Sequence, residues 1–137
     1  VTHGIPDTPH GEPNLAVEVT RRVRWEAAHY LPDHDGECRH VHGHSWIAEV
    51  TVIGQLQAKG PEKGMVCDMG GIARHFKSVL EVQLDHRTLN DTLPAEYQPP
   101  TTENVARYIM GSYLGFGFPV CRVTVRETEN QAATVTA

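Results

Sequence analysis

The stretch that decides the fold is Val17-Glu18-Val19-Thr20-Arg21-Arg22-Val23-Arg24-Trp25-Glu26-Ala27-Ala28-His29, taken together with His42-Gly43-His44-Ser45-Trp46-Ile47-Ala48-Glu49-Val50-Thr51-Val52. In the first segment the odd positions are apolar, broken once by Arg21, and His29 closes that face. In the second the even positions form the apolar set, and His42 and His44 open it. Alternation with a period of two marks half-buried strands, because successive side chains point to opposite faces of a sheet. The polar connection Pro32-Asp33-His34-Asp35-Gly36-Glu37 lets the strands pair as an antiparallel hairpin. Such pairing brings His29 beside His42 and His44 on one face.

Three imidazoles converging on one sheet face have a chemical meaning. Burying them unpaired would cost several kcal/mol, roughly 1–3 per unsatisfied group, unless something occupies their nitrogens. A divalent ion does so, and three nitrogen ligands with an open fourth position suit a catalytic zinc. A single histidine on an apolar face is more often a hydrogen-bonded core residue, and nine histidines in the chain make accidental clusters common. His40 alternates onto the same face and is a rival ligand. His3, His10, His34 and His75 fall in tail, loop or helix contexts and read as solvated or structural.

Outward from this hairpin, the chain reads as one domain of ordinary size over residues 15–130. A lead-in over 1–14 and a tail over 131–137 are expected to be flexible. Gly60, Pro61 and Gly64 mark a turn, and Met65–Met69 reads as a short strand. Ile72, Phe76, Val79, Leu80 and Leu84 recur at helical spacing, predicting a helix of about three turns. A second helix follows Pro99-Pro100, with Thr101 or Thr102 as N-cap, and carries Val105, Tyr108, Ile109 and Tyr113 on one face. A last strand over Val120–Thr128 turns Cys121, Val123 and Val125 inward, and on that register Glu127 falls on the apolar side. The layout is α+β, with two helices on one face of an antiparallel sheet.

Composition narrows the class further. The net charge of −5 over 137 residues, without a Lys/Arg run, argues against a nucleic-acid partner. No apolar stretch is long enough to span a bilayer and no leader pattern opens the chain, so a cytoplasmic protein is expected. Cys38, Cys67 and Cys121 form an odd set without framework spacing and read as free thiols.

Taken in order, Trp25-x-x-x-His29, Cys38-x-x-x-His42-Gly43-His44, Gly64-Met65-Val66-x-Asp68, Leu84-Asp85-His86-x-x-Leu89-Asn90, Thr102-Glu103-Asn104 and Glu127-Thr128 resemble the 6-pyruvoyltetrahydropterin and 6-carboxytetrahydropterin synthase family. The resemblance covers about Val17 to Asn130. It implies the tunnelling fold, in which subunits complete a β-barrel, commonly as a homohexamer with sites at subunit interfaces. It implies zinc on His29, His42 and His44, with Cys38 as the catalytic base. The Asp85-His86 pair becomes a proton relay contributed from a neighbouring subunit. Glu127 matches the family's pterin anchor, since a carboxylate can receive adjacent ring N–H and amine donors as a bidentate pair. Thr102 and Glu103 match a segment lining the same pocket, although helix capping explains them almost as well.

The implied substrate is 7,8-dihydroneopterin triphosphate. His44-Ser45 is similar to the enzymes that release acetaldehyde and a 6-carboxy product on the route to queuosine and other 7-deazapurines. Thr102-Glu103-Asn104 and Glu127-Thr128-Glu129-Asn130 look more like the pyruvoyl enzymes of biopterin synthesis. The 6-carboxytetrahydropterin activity is the expectation. A non-catalytic zinc- and pterin-binding module and a generic zinc hydrolase are the alternatives. Trp25 and Met69 stand where the family often has Phe, changes that bear on packing more than on chemistry.

Overall fold

The computed structural model describes residues 15–137, so the expected lead-in, with His3 and His10, lies outside the described residues. Strands β1 (Val17–His29) and β2 (His42–Gly54) pair antiparallel as their alternation requires, in the register Trp25↔Trp46, Ala27↔His44 and His29↔His42. Val23, Trp25, Ala27 and His29 are buried from one strand, and Trp46, Ala48, Val50 and Val52 from the other. Arg21, the one break in the pattern, is exposed. Trp25 and Trp46 stack across the hairpin with ring centroids 5.9 Å apart. The Trp46 indole N–H also donates to the Ala27 carbonyl at 3.1 Å.

The first helical run begins at Met69, three residues before Ile72, because the Asp68 carboxylate accepts from the Gly70 N–H at 2.9 Å and caps it. It comprises α1 (Met69–His75), a π-helical segment (Phe76–Leu80) and α2 (Glu81–Leu84). Ile72, Phe76, Leu80 and Leu84 are buried as expected. Met65–Met69 does not form the expected strand. Only Val66 of that run is buried, Glu62 accepts the Asp68 N–H at 2.6 Å, and the segment bends at Val66 and Cys67 before Met69 opens α1. Short apolar runs carry too little periodicity to separate a strand from the approach to a helix.

A short β3 (Arg87–Thr88) pairs parallel with β1 at Ala27 and Ala28, and leads into α3 (Leu89–Thr92). Helix α4 (Thr102–Gly115) is capped by Thr101, whose hydroxyl accepts from the Asn104 N–H at 3.1 Å. Its buried face holds Val105, Ala106, Ile109, Met110 and Tyr113, while Tyr108 is half-buried. Strand β4 (Val120–Thr128) pairs with β2, and with β5 (Gln131–Thr136) the sheet order is β3-β1-β2-β4-β5. Val123 and Val125 point inward. Cys121 is only half-buried, because a register shift at Thr51/Val52 places Val120 opposite Val52 and buries it instead.

The end of the chain is not a loose tail. Gln131–Thr136 forms β5, antiparallel to β4, with Thr124 and Thr134 hydroxyls 2.8 Å apart. Its small and β-branched residues suit a sheet edge, but only a neighbouring strand makes them one. The helical runs pack on one face of the sheet, α1 against β1 and α4 against β4 and β5. No described helix is long and apolar enough to cross a membrane. Cys38, Cys67 and Cys121 are free.

Candidate metal centre

The site grows from the end of the β1–β2 hairpin. Because the register ends on His29↔His42, with His44 opposite Ala27, period-two geometry sets the three imidazoles on one face. One ligand atom from each lies within 4.8 Å of the others. Trp46 floors the cluster, its ring centroid 4.9 Å from that of His29 and 5.6 Å from that of His44.

Backbone carbonyls orient two of the rings. His29 Nδ1 lies 2.8 Å from the Pro100 oxygen, and His42 Nδ1 lies 2.6 Å from the His40 oxygen. A carbonyl only accepts, so each Nδ1 carries the proton and each Nε2 presents its lone pair. Burial is the main influence holding the His29 and His44 imidazoles below their ordinary pKa, and it keeps them neutral. The Nε2 atoms of His29 and His44 are buried without a hydrogen-bond partner. Two orphaned ring nitrogens beside a third oriented imidazole form a donor set that fits a divalent metal ion. His40 contributes its carbonyl rather than its ring to this set.

Glu127 comes to the cluster from β4. Its Oε2 is 3.6 Å from His29 Nε2 and 3.8 Å from His44 Nε2, and it accepts the Thr102 hydroxyl at 2.9 Å. Cys38, in a single 3₁₀ turn (Glu37–Arg39), shares with His42, His44 and Glu127 the wall of a cavity of about 370 Å³. Thus His29, His42, His44, Glu127 and Thr102 are connected by direct contacts, and Cys38 faces the same space.

Glu103 is elsewhere. It is exposed and lines a separate cavity with Arg107 and Thr134, since one residue along a helix turns the side chain by about 100° away from its neighbour. His86 lines a different cavity from Cys38, of about 450 Å³, whose wall includes Glu26, Ser45 and His44, and Asp85 stands behind it. Asp85 accepts the Glu26 N–H at 3.0 Å through Oδ1 and holds His86 Nδ1 at 3.0 Å through Oδ2. The Glu26 N–H, followed by His86, keeps the Asp85 carboxyl below its ordinary pKa. His86 sits at φ +58°, a region non-glycine residues seldom occupy, with its own N–H on the Glu26 oxygen at 2.6 Å. Its imidazole is 78% exposed.

His34 is exposed and accepts the Gly36 N–H, whereas His75 is buried among Tyr113, Phe116 and Phe118 with Nε2 2.8 Å from the Ser112 hydroxyl. Both are structural, as their contexts suggest. The orienting carbonyls of Pro100 and His40 have no signature in the sequence, because every residue carries one.

A mainly antiparallel sheet, parallel only where the short β3 joins β1, with helices on one face and three converging imidazoles at its central hairpin defines an α+β protein with a candidate mononuclear metal centre. Residues 18–137 match the model of the family described as 6-pyruvoyl tetrahydropterin synthase, and the chain belongs to that family. It is 38% identical over 117 residues to a 6-carboxy-5,6,7,8-tetrahydropterin synthase of Synechocystis sp., covering 84% of this chain and 89% of that one. Against the 6-pyruvoyl tetrahydrobiopterin synthase of Homo sapiens it is 31% identical over 139 residues, covering 90% and 93%. The solved Caenorhabditis elegans 6-pyruvoyl tetrahydropterin synthase shares the fold with a TM-score of 0.77 at 27% identity, over 90% of this chain and 96% of that one.

Proposed function

We propose that this chain is a zinc-dependent 6-carboxy-5,6,7,8-tetrahydropterin synthase. It converts 7,8-dihydroneopterin triphosphate and water to 6-carboxytetrahydropterin, acetaldehyde and triphosphate, as a cytoplasmic homohexamer serving queuosine and 7-deazapurine synthesis. The observation that carries the reading is the convergence of the orphaned His29 and His44 Nε2 atoms with Glu127 on the cavity walled by Cys38. The 38% identity to a carboxytetrahydropterin synthase, above the 31% to a pyruvoyl enzyme, supports the choice of product.

His29, His42 and His44 would hold the zinc, which when bound polarises the substrate side-chain oxygens and acidifies the neighbouring C–H. Glu127 receives the ring N–H and amine of the pterin, its orientation held by the Thr102 hydroxyl. Cys38, ionised, takes the proton from carbon. The Asp85 carboxylate fixes the His86 ring so that its Nε2 faces outward as acid or base. His86 is exposed, with Asp85 half-buried behind it, and it lines a cavity that Cys38 does not, which suits delivery to the site of a neighbouring copy.

The test is anaerobic incubation of zinc-loaded protein with 7,8-dihydroneopterin triphosphate, following triphosphate, acetaldehyde and the pterin by mass spectrometry. Acetaldehyde equal to triphosphate, with a 6-carboxy product, is expected. Triphosphate and a 6-pyruvoyl product without acetaldehyde would replace the reading by the pyruvoyl enzyme, which the Thr102-Glu103-Asn104 motif and the human relative favour. No turnover would leave a zinc- and pterin-binding module.

A further inference from the structure

Asn90 and Asn104 stand in the quoted motifs without a part in the chemistry, and Gln98 stands in none. All three donate to backbone carbonyls around His29. Strand β3 pairs with β1 only at Ala27 and Ala28, so the backbone of Tyr30, just beyond His29, has no strand neighbour on that side. The Asn90 side chain fills that place. Its Oδ1 accepts the Tyr30 N–H at 2.9 Å, and its Nδ2 donates to the Tyr30 carbonyl at 2.8 Å. These are the two bonds an opposing residue on an antiparallel strand would make, and a planar carboxamide has both the acceptor and the donor they need. The first bond holds the peptide plane that follows His29, and the second holds the plane after it.

The other constraint on His29 leads back to the same turn. Its Nδ1 is set by the Pro100 carbonyl, and the segment bearing Pro100 is tied down on both sides. Upstream, the Gln98 Nε2 donors serve the carbonyls of Leu89, Asn90 and Leu93 at 3.2, 3.1 and 3.0 Å. Downstream, Asn104 Nδ2 donates to the Pro99 oxygen at 2.8 Å. A closed circuit results, from the Asn90 side chain through Tyr30 and His29 to Pro100, then through Gln98 to the Asn90 carbonyl.

We propose that the Asn90 side chain is a positioning group for metal binding, fixing the direction of His29 through Tyr30, while the Gln98–Pro100 arm, which starts from the Asn90 backbone carbonyl, holds the ring from the other side. The inference rests on the reading of His29, His42 and His44 as metal ligands. Groups that orient a ligand without touching the ion change metal affinity by about 10–100-fold when removed. Asn90 acts through one further link, so a loss of about tenfold is expected for Asn90→Ala.

The experiment uses the full chain loaded with zinc or with cobalt(II), whose visible absorption reports ligand geometry. Affinity is measured by competition with a chromophoric chelator, at a temperature where circular dichroism shows every variant folded. The control is Thr92→Ala, which removes the 2.6 Å bond from the Thr92 hydroxyl to the Gln83 carbonyl on the same turn without touching Tyr30. Asn90→Ala should weaken both metals by about tenfold and change the cobalt spectrum, while Thr92→Ala lowers thermal stability and leaves both unchanged. Should Asn90→Ala fail to fold, Asn90→Asp keeps the size and the Tyr30 N–H acceptor, loses the donor, and should show a smaller loss with an altered spectrum.

Wild-type affinity and spectrum in the folded Asn90 variant would overturn the inference. Absence of stoichiometric metal on the wild-type protein would instead overturn the metal-centre reading, and the inference with it.

Discussion

His29 is 2% exposed, donates through Nδ1 and leaves Nε2 without a partner, a combination that a structural histidine avoids. His75 is the contrast within the same molecule: it is also buried, yet its Nε2 meets a serine hydroxyl. Replacing His42 by Ala should abolish stoichiometric zinc, measured by atomic absorption on the purified protein, while Cys38→Ala should retain the zinc and lose turnover. Full activity in Cys38→Ala would remove the thiol from the mechanism. Burial, the leading cause, lowers the pKa of His29, His44 and His75 from the ordinary 6.5. The unfolded chain therefore takes up protons at higher pH than the folded one. It follows that the metal-free protein is insensitive to these groups above about pH 6.5 and loses stability as the pH falls below it. Urea midpoints of metal-free protein between about pH 8 and pH 5 should fall on the acid side, and a rise there would contradict the assignment of buried neutral imidazoles.

At the scale of elements, β2 joins the core to the site, since alternate residues of one strand are first candidate ligands and then buried apolar groups. Trp46 lies at the junction. It is 0% exposed, stacks on Trp25 and presents its ring to His29 and His44. Trp46→Ala should cost about 3–5 kcal/mol of stability by leaving a cavity under the cluster, read from chemical denaturation of the metal-free chain. A loss below about 1 kcal/mol would mean that the site collapses to fill the void and that Trp46 is not its floor. Helix α4 makes a second connection. Thr101 caps it, and Thr102, the first helical residue, holds Glu127, so the helix start and the strand end are fixed to each other.

At the scale of the whole molecule, the residues proposed for the chemistry line two cavities that share the wall residue His44, one with Cys38 and one with His86. If Asp85 and His86 serve a neighbouring copy, two inactive variants should complement each other. Mixing Cys38→Ala with His86→Ala after dissociation and reassembly should restore part of the activity, because some sites then draw intact Cys38 and His86 from different chains. Activity staying at the level of the separate variants would place the pair in its own chain's site. The hairpin, its register, the two helical runs and the three imidazoles were legible in the sequence by itself. Each rests on a period of two or 3.6 and on side-chain chemistry, which are local properties. The strand at Gln131–Thr136, the bends at Val66 and Cys67, the half-buried Cys121 and the outward Glu103 were decided only by the tertiary structure. So was the Pro100 carbonyl that turns the His29 ring. An edge strand exists through its neighbour, and a carbonyl becomes a ligand's partner only when folding carries residues 71 apart to 2.8 Å.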